Sequence, residues 1–262
     1  MEMDAIDKRK SVRKYKERFL NADEITKILH LLEMPFTGPG RNEIKFEFIA
    51  QDLDEDKGKV GTYGFVSGKY GAILGWCPKE SYAYVDYGFT LENIALNLID
   101  MDLGTCWLGG SFSRKNVIEA IGTDQRDSKT IPGILTVGYE AQGKRIRDVF
   151  ISGTKRRRKE LEECFFDSGL QPIEDEERKY ILEGVRWAPS AMNRQPTRVI
   201  WDGNKVHFYL ADAKIDLRYI DIGIAMCHFE RRSRNEGLKG KWIIDSEAPK
   251  PNWLYVYTYL IE

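Results

Sequence analysis

The sequence predicts an α+β fold made of two tandem related halves, with antiparallel or mixed sheets flanked by helices. Two observations point there. Secondary-structure signals run twice in one order: helix, loop, strand, strand, long helix, strand. A set of marks also recurs at a fixed spacing. Asp86 and Gly88 open the first long helix, with Leu103 and Trp107 at its far end; Asp221, Gly223, Leu238 and Trp242 follow, each about 135 residues later. Alternation alone would suit any α+β protein, but these four coincidences without gaps favour duplication. Ile28 and Leu29 match Ile181 and Leu182 at the longer offset of about 153, so the second half is a shortened copy. Gly169 and Pro172 punctuate the chain and divide it into 1–168 and 169–262.

Each element has its own warrant. Asn21 or Asp23 caps a helix to about Met34, with Ile25, Ile28, Leu29 and Leu32 on one face. Residues 45–52 alternate as a strand, and 71–77 form a second. A long helix is expected over 82–103, with Gly104 as a left-handed C-cap and Trp107 to Gly110 as a tight connection. A helix over 114–121 and a strand over 134–138 complete the first half. In the second, a helix over 174–187 must stop before Pro189, because the residue preceding proline avoids helical geometry. Strands over 198–201 and 206–211 flank the turn Asp202-Gly203-Asn204. A long helix over 217–235 and an aromatic strand over 254–261 end the chain.

A chain of 262 residues is long enough to bury a sizeable core, and 42% hydrophobic with 31% charged residues is ordinary for a globular protein. The net charge of -1 argues against a general polyanion binder while permitting a local basic pocket. No apolar run reaches membrane-span length and no signal-like stretch opens the sequence, so the expected location is the cytoplasm. Cys77, Cys106, Cys164 and Cys227 form no CxxC pair, and His30, His207 and His228 are scattered; no metal site is expected.

Two segments carry candidate chemistry. RKSVRKY gathers Arg9, Lys10, Ser11 and Arg13 around a hydroxyl, the donor set that phosphate recognition uses; a solvated basic N-terminus is the other reading. APSAMNRQP is a turn-rich loop between Pro189 and Pro196 whose Ser190, Asn193 and Gln195 can match the edge of a heterocycle, or serve as an ordinary helix-to-strand turn. Gly109 and Gly110 would let backbone N–H groups approach a ligand closely. The run Lys155-Arg156-Arg157-Arg158-Lys159 reads as a solvated helix face or a nucleic-acid patch.

Together these segments resemble the FMN-dependent nitroreductase family. RKSVRKY resembles its R-x-S-x-R segment, APSAMNRQP its A-P-S-x-x-N-x-Q-P-W loop (with Thr197 where the family often has Trp), and DYGFTLENIALNLIDMDLGTCWLGG its central helix and glycine turn. Gly138-Tyr139-Glu140 and the later cations resemble the end of a family subunit. The family places FMN at a dimer interface, with the R-x-S-x-R segment, glycine turn and late basic pair from one subunit and the P-S-x-x-N loop from the other. Here each set survives in one half only: PFTGPGRNE stands where the first half's loop belongs, and EDEERKY where the second half's basic segment belongs. The resemblance therefore implies an intramolecular pseudo-dimer with a nitroreductase-like fold and one FMN site per chain. It assigns Arg9, Lys10, Ser11 and Arg13 to the phosphate and pyrimidine edge, and Lys155 and Arg157 (or Arg156) to the phosphate. Gly109 and Gly110 fall near the hydride-accepting nitrogen, and Pro189, Ser190, Ala191, Asn193 and Gln195 cover the ring. It names no catalytic side chain.

The implied activity is ping-pong reduction of a small acceptor (nitroaromatic, quinone or free flavin), driven by NADH or NADPH. A non-catalytic FMN-binding protein with a closed acceptor pocket is the alternative, and a nucleic-acid-binding or protein-binding module a third. No membrane or nucleic-acid partner is expected. A monomer acting as a pseudo-dimer is the expected state, with a homodimer the alternative.

Overall fold

The computed structural model describes residues 4–50, 62, 64–121, 128–142, 157–214 and 217–262; Lys155 and Arg156 lie outside them. Helix α1 (Ala5–Lys8) starts at Asp4, whose carboxylate accepts from the Ile6 N–H. Helix α2 (Ala22–Glu33) opens on a reciprocal cap: Asn21 accepts from the Glu24 N–H, and Glu24 accepts from the Asn21 N–H, both at 2.9 Å. Strands β1 (Phe46–Ile49) and β2 (Gly71–Gly75) pair antiparallel. The two-residue strands β3 (Cys77–Pro78) and β5 (Lys129–Thr130) pair with each other. Helix α3 (Ser81–Asp100), strand β4 (Gly104–Leu108), helix α4 (Arg114–Ile121) and strand β6 (Ile134–Gly138) follow. Then come β7 (Phe165–Asp167), α5 (Glu176–Trp187), β8 (Thr197–Asp202), β9 (Lys205–Leu210), α6 (Leu217–Asn235), β10 (Gly240–Ile243) and β11 (Leu254–Ile261).

The repeat is written in the strand order. One sheet runs β1-β2-β6-β4 and the other β8-β9-β11-β10, with β7 added beside β8. In each, a hairpin is followed by a long helix, then an edge strand, then a strand that inserts between that edge and the hairpin. All pairings are antiparallel except β7 with β8. The second hairpin turns at Gly203, whose φ of 56° suits glycine.

Two expectations need correction. Gly104 is not a left-handed cap; Asp102, with φ of 59°, turns the chain out of α3, and Gly104 opens β4. Its missing side chain serves packing instead, since a Cβ there would lie 2.8 Å from Cγ2 of Val12. Residues 107 and 108, expected in a tight connection, belong to β4, paired with Leu135 and Ile134 of β6.

The chain divides into two compact units. One comprises Met1–Phe36, Glu43–Lys79 and Asn93–Lys155; the other comprises Thr37–Asn42, Glu80–Glu92 and Arg156–Glu262. Residues 157–168, upstream of the expected boundary, lie in the second unit, where β7 pairs with β8.

In the second unit the start of α3 crosses α6 at backbone distance. A Cβ on Gly88 would lie 2.3 Å from the Ile220 carbonyl oxygen, and one on Gly223 would lie 2.1 Å from that of Val85. Val85 and Ile220 occupy equivalent places in the repeat, so the contact is reciprocal, as at a two-fold interface. Burial here is complete enough that polar groups need partners. His228 and Glu92, both fully buried, meet at 2.8 Å, and the other imidazole nitrogen lies 3.0 Å from the Gly184 carbonyl oxygen.

Candidate functional site

In the first unit, the R-x-S-x-R segment is laid along the edge of the sheet. Ser11 bridges Thr105 of β4 in parallel, and the Val12 N–H donates to the Thr105 carbonyl at 2.8 Å. Further on, the Ser67 N–H donates to the Arg13 carbonyl, the Tyr15 N–H to the Ser67 carbonyl, and the Lys16 N–H to the Tyr139 carbonyl. The Tyr15 side chain is buried, with its hydroxyl on Thr136, and burial pushes its pKa well up, so it stays a neutral anchor. Arg9, Ser11 and Arg13 are therefore half-buried side chains on an immobilised backbone. Lys10 is exposed and pairs with Glu140 at 2.8 Å, a bond that solvent screens.

Gly109 and Gly110 follow β4, the strand that carries Ser11's partner. Nothing lies within 4 Å of the place a Gly110 Cβ would occupy, and the residue is exposed. Arg114 donates weakly to the Gly109 carbonyl at 3.5 Å.

In the second unit, the loop after α5 is tightly shaped. Met192, Asn193 and Gln195 all have left-handed φ, of 55°, 55° and 51°. Such non-glycine residues cost on the order of 1 kcal/mol each and persist where surroundings impose them. The imposing groups are identifiable. The Gln195 N–H donates to Ser190 Oγ at 2.9 Å, and the Ala191 N–H donates to Asp221 Oδ1 at 2.8 Å. Arg158, almost fully buried, donates to the carbonyls of Ala188 (2.9 Å) and Trp187 (2.8 Å) and to Asn193 Oδ1 (3.3 Å). The loop's amides return the contact: Asn193 Nδ2 and Gln195 Nε2 donate to the Arg157 carbonyl, and Gln195 Oε1 accepts from the Lys159 N–H at 2.8 Å.

The basic run is thus corrected for its described part. Residues 157–160 form no helix, Arg158 points inward, and Arg157 is exposed. Lys155, expected at a phosphate, lies outside the described residues.

Asp221 and its counterpart Asp86 hold the corresponding loops differently. Asp86 is saturated by the N–H groups of Gly40 and Asn42 and by Asn42 Nδ2, at 2.7, 2.9 and 2.7 Å. A Cβ on Gly38 would fall 2.4 Å from Asp86 Oδ1, so the PFTGPGRNE loop sits directly on that carboxylate. Asp221 takes one loop N–H and pairs with Arg218 at 3.1 Å. A cavity of about 20 Å³, room for one water, lies behind the second loop between Cys164, Ser190, Gln195 and Asp221. Burial raises the pKa of both carboxylates, that of Asp221 to about 6 despite the Ala191 N–H and Arg218.

Arg158, Asp221 and Asp86 escaped the sequence reading as site residues. The D-x-G repeat marked the two aspartates as duplicated without saying what they bind. The side of a five-cation run that turns inward is invisible in composition.

No curated protein sequence matches the chain. A crystal structure of a "putative nitroreductase" from Thermotoga maritima MSB8 is similar over its length: 19% identity, TM-score 0.64, covering 100% of this chain and 95% of that one. A nitroreductase family protein of Clostridium difficile 630 is 19% identical, covering 62% of this chain and 96% of its own, with a TM-score of 0.45. A nitroreductase with bound FMN from Bacteroides fragilis NCTC 9343 is 16% identical, covering 54% and 89%, with a TM-score of 0.40. The model of the family described as "Putative TM nitroreductase" matches residues 2–233, and with nearly the whole chain matched, the protein belongs to the nitroreductase family.

Proposed function

We propose that the protein is an FMN-dependent oxidoreductase of nitroreductase type with one flavin site per chain. Family membership and the FMN bound to the Bacteroides fragilis relative support the cofactor. The observation that carries the reading is the shared strand: β4 holds the Ser11 segment at its edge and ends in the open Gly109-Gly110 turn. That sets half-buried cations beside the same rigid strand that leads into an unobstructed glycine turn, a preorganisation suited to an anionic cofactor. Bound FMN would supply the redox chemistry for a ping-pong reaction in which NADH or NADPH is the hydride donor and a small molecule the acceptor.

The chain's residues bind, orient and polarise. Arg9, Lys10, Ser11, Arg13 and the late cations Lys155 and Arg157 serve the phosphate and pyrimidine edge. Gly109 and Gly110 present N–H groups toward the ring, and Pro189, Ser190, Ala191, Asn193 and Gln195 cover it. A single site is supported by the difference between the loops: the one on Asp86 gives that carboxylate three hydrogen bonds, whereas the one on Asp221 gives it one and holds Met192, Asn193 and Gln195 at left-handed φ. The divisions 1–168 and 169–262 are read as the two copies, acting as a pseudo-dimer within a cytoplasmic monomer. In this reading the partner is a small-molecule acceptor. No helix among the described residues is long and apolar enough to cross a membrane.

Purified protein reconstituted with FMN is expected to retain it through gel filtration and to lose flavin absorbance anaerobically on adding NADH or NADPH. Retention without bleaching would indicate a flavin-binding protein with a closed acceptor pocket. No retention would end the proposal.

A further inference from the structure

We infer that Arg158 is the positioning residue of the flavin-facing loop, and that the stretch 157–159 acts as its splint while presenting Arg157 outward. This rests on the reading of 188–196 as a flavin contact, but its observations are independent of it. A guanidinium has five donors in a rigid plane, and Arg158 spends three directed bonds on one short arch. Two of its acceptors, the Trp187 and Ala188 carbonyls, are at the end of α5, where helical partners have run out. The third, Asn193 Oδ1, belongs to a left-handed residue at the crown of the loop. One side chain therefore ties the start of the arch to its middle.

The splint is doubled from the other direction. Both amide groups of the arch, those of Asn193 and Gln195, reach the backbone of Arg157 and Lys159. Neither amide is thus idle, and the three left-handed residues lie between fixed points. The Trp187 ring lies beneath two guanidiniums, at 5.6 Å from Arg158 and 5.5 Å from Arg186, which restrains the helix end further. A lysine at 158 would keep the charge but lose the fork. Its three donors sit on a single nitrogen, whereas Arg158 reaches its three acceptors from two.

The consequence differs from that of a phosphate ligand. A cation on the phosphate matters only to ligands that carry one. A residue that preorganises the ring-facing loop matters equally to FMN and to riboflavin, which lacks the phosphate. The test uses the full chain with Arg158→Gln and Arg158→Lys, titrated with both flavins by fluorescence quenching. Met192, 86% exposed at the loop crown, is changed to Cys in each background for a nitroxide spin label; Cys77, Cys106, Cys164 and Cys227 are all buried.

Arg158→Gln is expected to weaken both flavins by the same factor, roughly tenfold, and to sharpen the spin-label spectrum toward free motion. Arg158→Lys should fall between. Weakened FMN with unchanged riboflavin would make Arg158 a phosphate ligand and overturn the inference. Unchanged label mobility, in whichever variant folds, would overturn it as well. If wild-type protein binds neither flavin, the functional proposal fails, while the label still decides whether Arg158 splints the loop.

Discussion

Glycines at three positions do three different jobs, and each has a measurable signature. Gly110 has open space where its Cβ would stand, so Gly110→Ala is expected to change stability by no more than about 0.5 kcal/mol, read from urea denaturation. At Gly88 the same atom would strike the Ile220 carbonyl, backbone that cannot rotate aside. Gly88→Ala is expected to cost about 3 kcal/mol or more, and equal stability of the two variants would contradict the close crossing. Gly104 is intermediate, because a Cβ there meets the Val12 side chain, which can yield at the expense of the Ser11 bridge. Gly104→Ala should loosen the segment from β4 and weaken FMN binding more than it lowers the melting midpoint. The sequence made Gly104 look like a helix cap. What it could not disclose was Val12, ninety residues away, as the atom set requiring the absence of a side chain.

Among the elements, the two loop-holding aspartates each tie stability to pH. Each sits near the start of a long buried helix and has its pKa raised by burial. From about pH 4, where an unfolded aspartate ionises, to about pH 6, the native Asp221 keeps a proton the unfolded chain has released. The Asp221 contribution to stability therefore falls as pH rises through that window, by about 3 kcal/mol; Asp86 contributes with the same sign, and His207, whose pKa burial lowers, with the opposite one. Asp221→Asn should flatten the wild-type slope between pH 4 and 6 in paired denaturation series. A slope identical in both proteins would refute the assignment. Element boundaries were largely legible: helix Leu217–Asn235 and strand Leu254–Ile261 match the expected ranges because apolar pattern, caps and turn residues agree there. Residues 157–159 of the basic run were misread because their partners lie on a loop distant in sequence, which local composition does not encode.

Across the whole molecule, the repeat seen as four residue coincidences reappears as one strand order used twice, which chance alternation would not produce. The two candidate segments fall in different compact units. The proposed single flavin per chain is a stoichiometric claim. Arg13→Gln and Asn193→Ala should each weaken the same single FMN, and the saturated protein should carry one flavin per chain by absorbance; two independently lost flavins would break the account. Native mass spectrometry should find one chain per particle.

The reciprocal glycines at the α3–α6 crossing carry a consequence for how such a chain can change. In a symmetric dimer encoded by one gene, any substitution is entered at both sides of the axis at once. Here Gly88 and Gly223 answer to separate codons, and so do the loops that Asp86 and Asp221 hold. Both glycines remain because either crossing point alone would jam the helices. The loops, freed from mirrored inheritance, could diverge until one lay flat on its carboxylate and the other kept its arch.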